Sequence, residues 1–526
     1  MFDVVAIVVK LRRAFSRRDV LIILGLSVLF FVSRLIYLDQ FPIFSDEGIY
    51  IRWAKVAWKD ATWRFISLTD GRQPLQTWGT IFFLKLFADS PLFAGRLFSV
   101  FSGFGALAGF FTLLYYLFNK KAAYVGSLLY ILTPAFLFYD RMALVDSAVN
   151  AGFIWILFLS IFLARTLRFD VALLFGLTAG FALLAKSSVR LYVGLSVLAV
   201  SFIFYEQGQG VTSILASVKK RIISRNWDVH LYTLKKLLSF IVLYFVGVFI
   251  AAVIYNVQRL SPFFHYVAEK NKTFVLTFSE LLANPFQLFF ANLPKIPYYV
   301  FSEMGYVIGV VGIAGIFLLW RRNKAFTLYL SSVLILSYFA IAAVAKVIFP
   351  RYLLPLSTLL VVSAVYLLVA IKDARSKFVV ALLIVVSVVY FDYAILFDYS
   401  QIPFPPIDRG QYIEGKTAGW GARDIVDFAR GKSQEKPVYL LAEGNFGLIG
   451  DVLETFKLPG DEIHVNGYWP LNKEHLLENQ ELLGENYVYV VFSHRSEFPQ
   501  DWPMVLVKKY EKPGGQAAIY LFELTN

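Results

Sequence analysis

Apolar stretches close to the length of a membrane-crossing helix recur along the first three-quarters of this chain, with basic residues in the loops between them. A helix needs roughly 20 apolar residues to cross about 30 Å of hydrocarbon. About eleven segments approach that length: 20–38, 91–118, 122–139, 147–164, 170–185, 189–205, 237–257, 301–320, 325–345, 352–371 and 378–397. In hydrocarbon every backbone polar group must be paired within the protein, so the pattern predicts a polytopic α-helical membrane protein. A composition of 58% hydrophobic and 17% aromatic residues over 526 positions agrees with that class.

The basic punctuation sets an expected orientation. Lys10, Arg12, Arg13, Arg17 and Arg18 precede the first segment, and Asn119-Lys120-Lys121, Arg165 with Arg168, the run from Lys219 to Lys236, Arg321-Arg322 with Lys324, and Lys372 to Lys377 fall in alternate loops. Positive charge stays on the cytoplasmic side. The N-terminus is therefore expected inside a cytoplasmic (plasma) membrane, with the first segment an uncleaved anchor. An odd number of spans then puts loop 39–90 and everything after residue 397 on the opposite side.

Composition changes at that point. Pro403-Phe404-Pro405-Pro406 opens a tail in which Val438 to Ala442, Tyr487 to Phe492, Val505 to Lys509 and Ala518 to Phe522 are β-rich, while Arg423 to Arg430 and Lys473 to Leu483 have helical patterning. Two domains are predicted: a membrane domain, 1–397, and a soluble extracytoplasmic α/β domain, 398–526. The tail is acidic, with 12 Lys and Arg against 19 Asp and Glu, although the whole chain carries +13. The basic excess thus belongs to the membrane domain and its lipid headgroups, which argues against a nucleic-acid partner. There is no cysteine, hence no disulfide, thiolate nucleophile or Cys-based metal site.

The chemistry gathers on the outer face. Loop 39–90 holds Trp53, Trp58, Trp63 and Trp78 among charged residues, a pattern suited to interfacial helices, and loop 256–300 is similarly aromatic and suited to lining or covering a lipid access path. Ser45 is placed to cap a helix in which Asp46 and Tyr50, four apart, share a face. The adjacent acids Asp46-Glu47 either complement a helix N-terminus or do chemistry. Asp70-Gly71-Arg72-Gln73-Pro74-Leu75, Asp140-Arg141 through Asp146, Lys186-Ser187-Ser188 and Pro350-Arg351-Tyr352-Leu353-Leu354-Pro355 all sit at outer boundaries. Each has a bland reading, as a snorkelling cation or a local ion pair. Their shared side points to one polar site.

These motifs together resemble those of the polyprenyl-phosphate-dependent glycosyltransferases of the GT-C fold, particularly the protein O-mannosyltransferase and aminoarabinose transferase group. Asp46-Glu47 is similar to the family's acidic pair, and Gly71-Arg72-Gln73-Pro74-Leu75 to its Gly-Lys-Pro-Pro-Leu element. Asp140 to Asp146 resembles a Ser-Arg-x-x-x-x-Asp stretch, Leu184-Ala185-Lys186 a Leu-Thr-Lys turn, and Arg351 to Pro355 an Arg-Tyr-Leu-Leu-Pro start. Two departures stand out: Arg72 offers a planar fork where relatives carry lysine, and Asp140 adds a carboxylate where they carry serine.

The resemblance implies transfer of a sugar from a polyprenyl-phosphate donor to a hydroxyl of an extracytoplasmic acceptor, whether protein, lipid or glycan. Asp46 is then the expected general base, with Glu47 supporting it or orienting the acceptor. Arg72, Lys186 and Arg351 are the expected phosphate clamp. Tyr50, Asp140, Arg141, Asp146 and Tyr352 are expected to support them. No metal is taken as obligatory, but Asp46, Glu47 and Asp146 leave a divalent cation open. The five histidines, His230, His265, His464, His475 and His494, show no paired ligand spacing. Alternatives from other classes are a transporter or flippase of lipid-linked sugars and a non-catalytic lipid-binding protein. A transporter would place its polar groups near the midplane between repeated halves, and neither feature is visible here.

Overall fold

The computed structural model describes residues 15–203, 227–322 and 324–526. The early basic residues Lys10, Arg12 and Arg13, and much of the run beginning at Lys219, lie outside them.

All eleven apolar stretches are helical over most of their described length. Among the described residues six helices are long and apolar enough to cross a membrane: Pro91–Leu117, Asp146–Thr166, Leu234–Leu260, Phe326–Val344, Pro350–Ala370 and Ala374–Phe397. A seventh span arises if Phe289–Met304 and Tyr306–Arg322 count together; they meet at 113°, where Gly305 adopts φ +85°. That left-handed conformation favours glycine.

The other stretches depart from single spans for local reasons. Stretch 122–139 is split into Lys120–Ile131 and Pro134–Tyr139. Pro134 cannot donate the N–H that would continue the first helix, and it instead opens the second. Phe169–Ala185 and Val189–Ile203 are short. Helices pack through small residues: Tyr306–Arg322 lies on Leu354–Ala370 where Gly312 would set a Cβ 2.7 Å from the Leu360 carbonyl oxygen and Gly315 meets the backbone of Ser363. Close backbone approach supplies the van der Waals contact that holds apolar helices together without a hydrophobic driving force.

Loop 39–90 folds into helices Ser45–Lys59 and Leu75–Leu84 with two 3₁₀ turns, and 256–300 into a succession of short helices. The first of these helices begins at Ser45, with Phe44 rather than Ser45 as its flanking residue. The Phe44 N–H is taken up by Glu47 (3.0 Å).

Beyond residue 397 the chain builds a five-stranded sheet from β1 (Val438–Glu443), β2 (Ile463–Tyr468), β3 (Tyr487–Phe492), β4 (Met504–Glu511) and β5 (Ala518–Leu524), in the order β2-β1-β3-β5-β4. β1 pairs in parallel with β2 and β3, whereas β5 pairs antiparallel with β3 and β4. Strand β2 was not anticipated. It is an edge strand of sequence Ile-His-Val-Asn-Gly-Tyr, too polar to show a buried pattern.

The sheet unit is docked on the helix that carries Asp46. Lys55 donates to the carbonyls of Glu454, Thr455 and Lys457 (2.7–2.8 Å), Arg52 pairs with Asp451 (2.6 Å), and a Cβ on Gly48 would stand 3.1 Å from the Val452 nitrogen. Ile43, Ile51, Leu92 and Ala143 share one apolar cluster with Ile425, Val452 and Leu453. Burial of that shared core fixes the two parts against each other.

Candidate functional site

Four chain segments converge on the one that carries Asp46. Asp46 lies in the first turn of helix Ser45–Lys59; Arg72 follows Gly71, whose φ of +64° ends a 3₁₀ turn. Asp146 opens Asp146–Thr166, Lys186 ends Phe169–Ala185, and Arg351 sits in the 3₁₀ turn Pro350–Leu353. Gly71 has no alternative, since a side chain there would run into the Tyr266 carbonyl.

One Asp46 oxygen accepts from Arg72 (2.9 Å) and the other from Arg351 (3.2 Å). Asp146 accepts from Lys186 (3.0 Å) and faces Arg351 at 3.8 Å. Asp70 joins Arg72 (2.9 Å) to Lys270 (2.8 Å). Four cations, Arg72, Lys186, Lys270 and Arg351, thus surround three carboxylates, Asp46, Asp70 and Asp146. The aromatic surround adds to this: Lys186 stands 3.5 Å over the Tyr352 ring and Arg72 5.4 Å over Tyr50. Gln73 reaches Ser187 (2.5 Å), so the Arg72 and Lys186 turns are tied together.

Burial raises the Asp46 carboxyl, and Arg72 and Arg351 more than offset it, so the group ends below the ordinary value and is ionised. Burial pushes the Tyr50 phenol up to about 12, which keeps it a neutral donor. The Asp46 side chain remains 21% exposed. Arg72, Lys186 and Lys270 are similarly accessible at 21–29%, whereas Arg351 is buried behind Asp46 at 6%.

Three predicted residues lie elsewhere. Glu47 is fully buried: it takes a two-pronged ion pair from Arg96 (2.8 Å twice) and the N–H groups of Phe44 and Ala143 (3.0 and 2.7 Å). All of these bonds are to protein groups, and none is to the partners of Asp46. Asp140 accepts from Arg34 (3.4 Å) and Ser147 (2.8 Å), and Arg141 donates to the carbonyls of Ser33, Arg34, Ile36 and Tyr37 (2.8–3.3 Å). Asp140 and Arg141 hold the end of helix Arg17–Leu35, where carbonyls lack intrahelical partners.

The divalent-cation alternative does not fit these residues. Both Asp46 oxygens are on guanidinium groups, Glu47 faces Arg96, and among the described residues no three His, Cys, Asp or Glu side chains gather as ligands.

The sequence reading missed several members. Gln411 and Tyr412, beyond helix Ala374–Phe397, accept from Arg351 (3.0 and 2.7 Å), and Lys270 comes from loop 256–300. None has a local signal. Arg34 and Arg96 did have one, since an arginine inside an apolar stretch demands a partner.

No protein-family model and no curated protein matches this sequence. Solved structures do. ArnT from Cupriavidus metallidurans bound to undecaprenyl phosphate superposes with a TM-score of 0.58 at 14% identity, over 95% of this chain and 97% of that one. The apo form of the same protein gives 0.54 over the same shares at 14% identity. An oligosaccharyltransferase from Archaeoglobus fulgidus, in its apo form, gives 0.49 at 13% identity, over 90% of this chain and 69% of that one. The chain is thus a multi-pass helical membrane protein of GT-C fold with a small C-terminal sheet domain, the fold of ArnT.

Proposed function

We propose that this protein transfers a sugar from a polyprenyl-phosphate donor to an acceptor hydroxyl on the outer side of the cytoplasmic membrane, with inversion at the anomeric carbon. The observation that carries the reading is Asp46 held between Arg72 and Arg351, from segments about 280 residues apart, in a cluster with more cations than carboxylates. The ArnT fold, solved with undecaprenyl phosphate, supports a lipid-phosphate ligand. The alternate basic loops support an N-terminus inside, residues 1–397 as the membrane domain and 398–526 as an extracytoplasmic cap.

The acceptor hydroxyl attacks the anomeric carbon, its proton passes to Asp46, and the bond from that carbon to the lipid phosphate oxygen breaks. Arg72, Arg351 and Lys186 take the charge that develops on the departing phosphate. Asp46 makes a poor base while two guanidinium groups hold it. A phosphate anion competes for those same groups, so donor binding releases Asp46 and raises its basicity. The base is thereby switched on only when there is a leaving group in place.

The test is Asp46→Asn, assayed in lipid nanodiscs with a radiolabelled polyprenyl-phosphate sugar and an extracytoplasmic acceptor extract. Transfer falls by ~10²–10⁴, while undecaprenyl phosphate binds at least as tightly because its competitor is gone. Near-normal transfer removes Asp46 as base. Movement of the lipid-linked sugar across the bilayer without bond cleavage replaces the transferase with a transporter.

A further inference from the structure

Strands β1, β2 and β3 run parallel, so their carboxyl ends share one edge of the sheet, where α/β domains hold ligands. The chain leaves that edge as the turn 444–448, as Trp469, and as Ser493-His494-Arg495. The three exits are tied together. Glu443, at the end of β1, accepts from the N–H groups of Ser493 (2.9 Å) and His494 (2.6 Å), and the Trp469 ring lies 3.2 Å from where a Gly444 Cβ would be. Trp469 also meets the His494 ring edge to face at 5.5 Å.

This edge reaches the Asp46 cleft. A Cβ on Gly447 would stand 3.9 Å from the Asp46 oxygen that Arg72 holds. The turn is pinned there, because the Gly447 N–H donates to Asp451 (2.6 Å), which also pairs with Arg52 on the Asp46 helix. Next to that contact the turn presents Phe446, 67% exposed at φ +58°, and Trp469 is 62% exposed. An aromatic residue seldom takes a positive φ, and here it is flanked by Gly444 and Gly447, which take it readily.

We infer that Phe446, Trp469 and His494 form an acceptor subsite for an uncharged saccharide, placed so that its hydroxyl is delivered to Asp46. This rests on the transferase reading and names its acceptor class. Aromatic faces carry negative potential and attract the polarised C–H faces of a pyranose ring. His494 supplies the polar contact: its Nδ1 is bonded to the Ser493 hydroxyl (2.9 Å), which leaves Nε2 for a ligand. The phosphate clamp lies on the membrane-domain side of the contact, so donor and acceptor approach Asp46 from different parts of the chain.

The probes are maltohexaose, cellohexaose and chitohexaose, titrated into the full-length protein in nanodiscs and followed by saturation-transfer NMR. At least one binds, and its affinity falls about tenfold in Phe446→Ala and in Trp469→Ala. Trp469→Phe restores most of the loss, which separates stacking from misfolding. With a transferred acceptor the two alanine variants raise acceptor KM about tenfold with little change in kcat. Equal saccharide affinity in wild type and variants overturns the subsite, as does failure of all three probes to bind wild type. Ring-dependent saccharide binding without any transfer keeps the subsite and overturns the transferase.

Discussion

Asp46 and Glu47 are neighbours in sequence and belong to two charge clusters that could hardly differ more. Around Asp46 the side chains of Asp46, Arg72, Asp70, Lys186 and Lys270 remain 21–29% exposed, Arg351 and Asp146 close the cluster from the buried side, and cations outnumber carboxylates. Around Glu47 and Arg96 both side chains are sealed at 0% exposure and their bonds are filled from within, as are those of Arg141 at the end of helix Arg17–Leu35. Residue type does not separate the two; access and saturation do. A cluster with unspent charge and a route to solvent can exchange one of its ion pairs for a substrate. A saturated one can only hold its elements in place.

Breaking the sealed cluster is expected to have the largest effect on stability. Glu47→Gln leaves Arg96 charged and unpaired in the interior, at a cost of about 3–5 kcal/mol. Thermal unfolding in detergent checks it, and an unshifted transition would mean that the Glu47–Arg96 pair does not hold the helix. Arg351→Ala acts on the open cluster instead: it removes one charge-assisted phosphate contact, worth about 1.5–3 kcal/mol, so undecaprenyl phosphate should bind roughly 10- to 100-fold more weakly. Unchanged affinity would take Arg351 out of the clamp.

The smallest effect sharpens the comparison by pH. In the free protein burial raises the Asp46 carboxyl, but Arg72 and Arg351 hold it below the ordinary range, so its basic form survives to low pH. In the proposed reaction, donor phosphate would draw those cations away and the carboxyl would rise. Since kcat/KM reports the free protein and kcat the complex, the acid limb of kcat should lie at higher pH than that of kcat/KM. Coincident limbs would contradict release of Asp46 by the donor.

Hydropathy made the helices legible, and the one-sided distribution of Asp46, Arg72, Asp146, Lys186 and Arg351 made most of the cleft legible. Adjacency in sequence suggested that Glu47 works beside Asp46, whereas the structure turns it onto Arg96. Successive residues on a helix point about 100° apart, so when Asp46 faces the cleft Glu47 must face the packed side. Asp140 and Arg141 carry the same charges as the cleft residues, and nothing local says that they are spent on Arg34, Ser147 and four carbonyls. Gln411, Tyr412 and Lys270 reach the cleft through tertiary packing, which no window of sequence contains. The edge strand β2 was hidden by its polarity for a similar reason: only its pairing with β1 makes it a strand.

The central claim is that chemistry resides at Asp46 and architecture at Glu47. Measuring thermal stability and sugar transfer side by side for Asp46→Asn and Glu47→Gln tests it most directly. Asp46→Asn should unfold like wild type and transfer sugar ~10²–10⁴-fold more slowly, and Glu47→Gln should unfold at much lower temperature yet transfer sugar below that point. The reverse pattern, a stable Glu47→Gln without activity and an active Asp46→Asn, would contradict it.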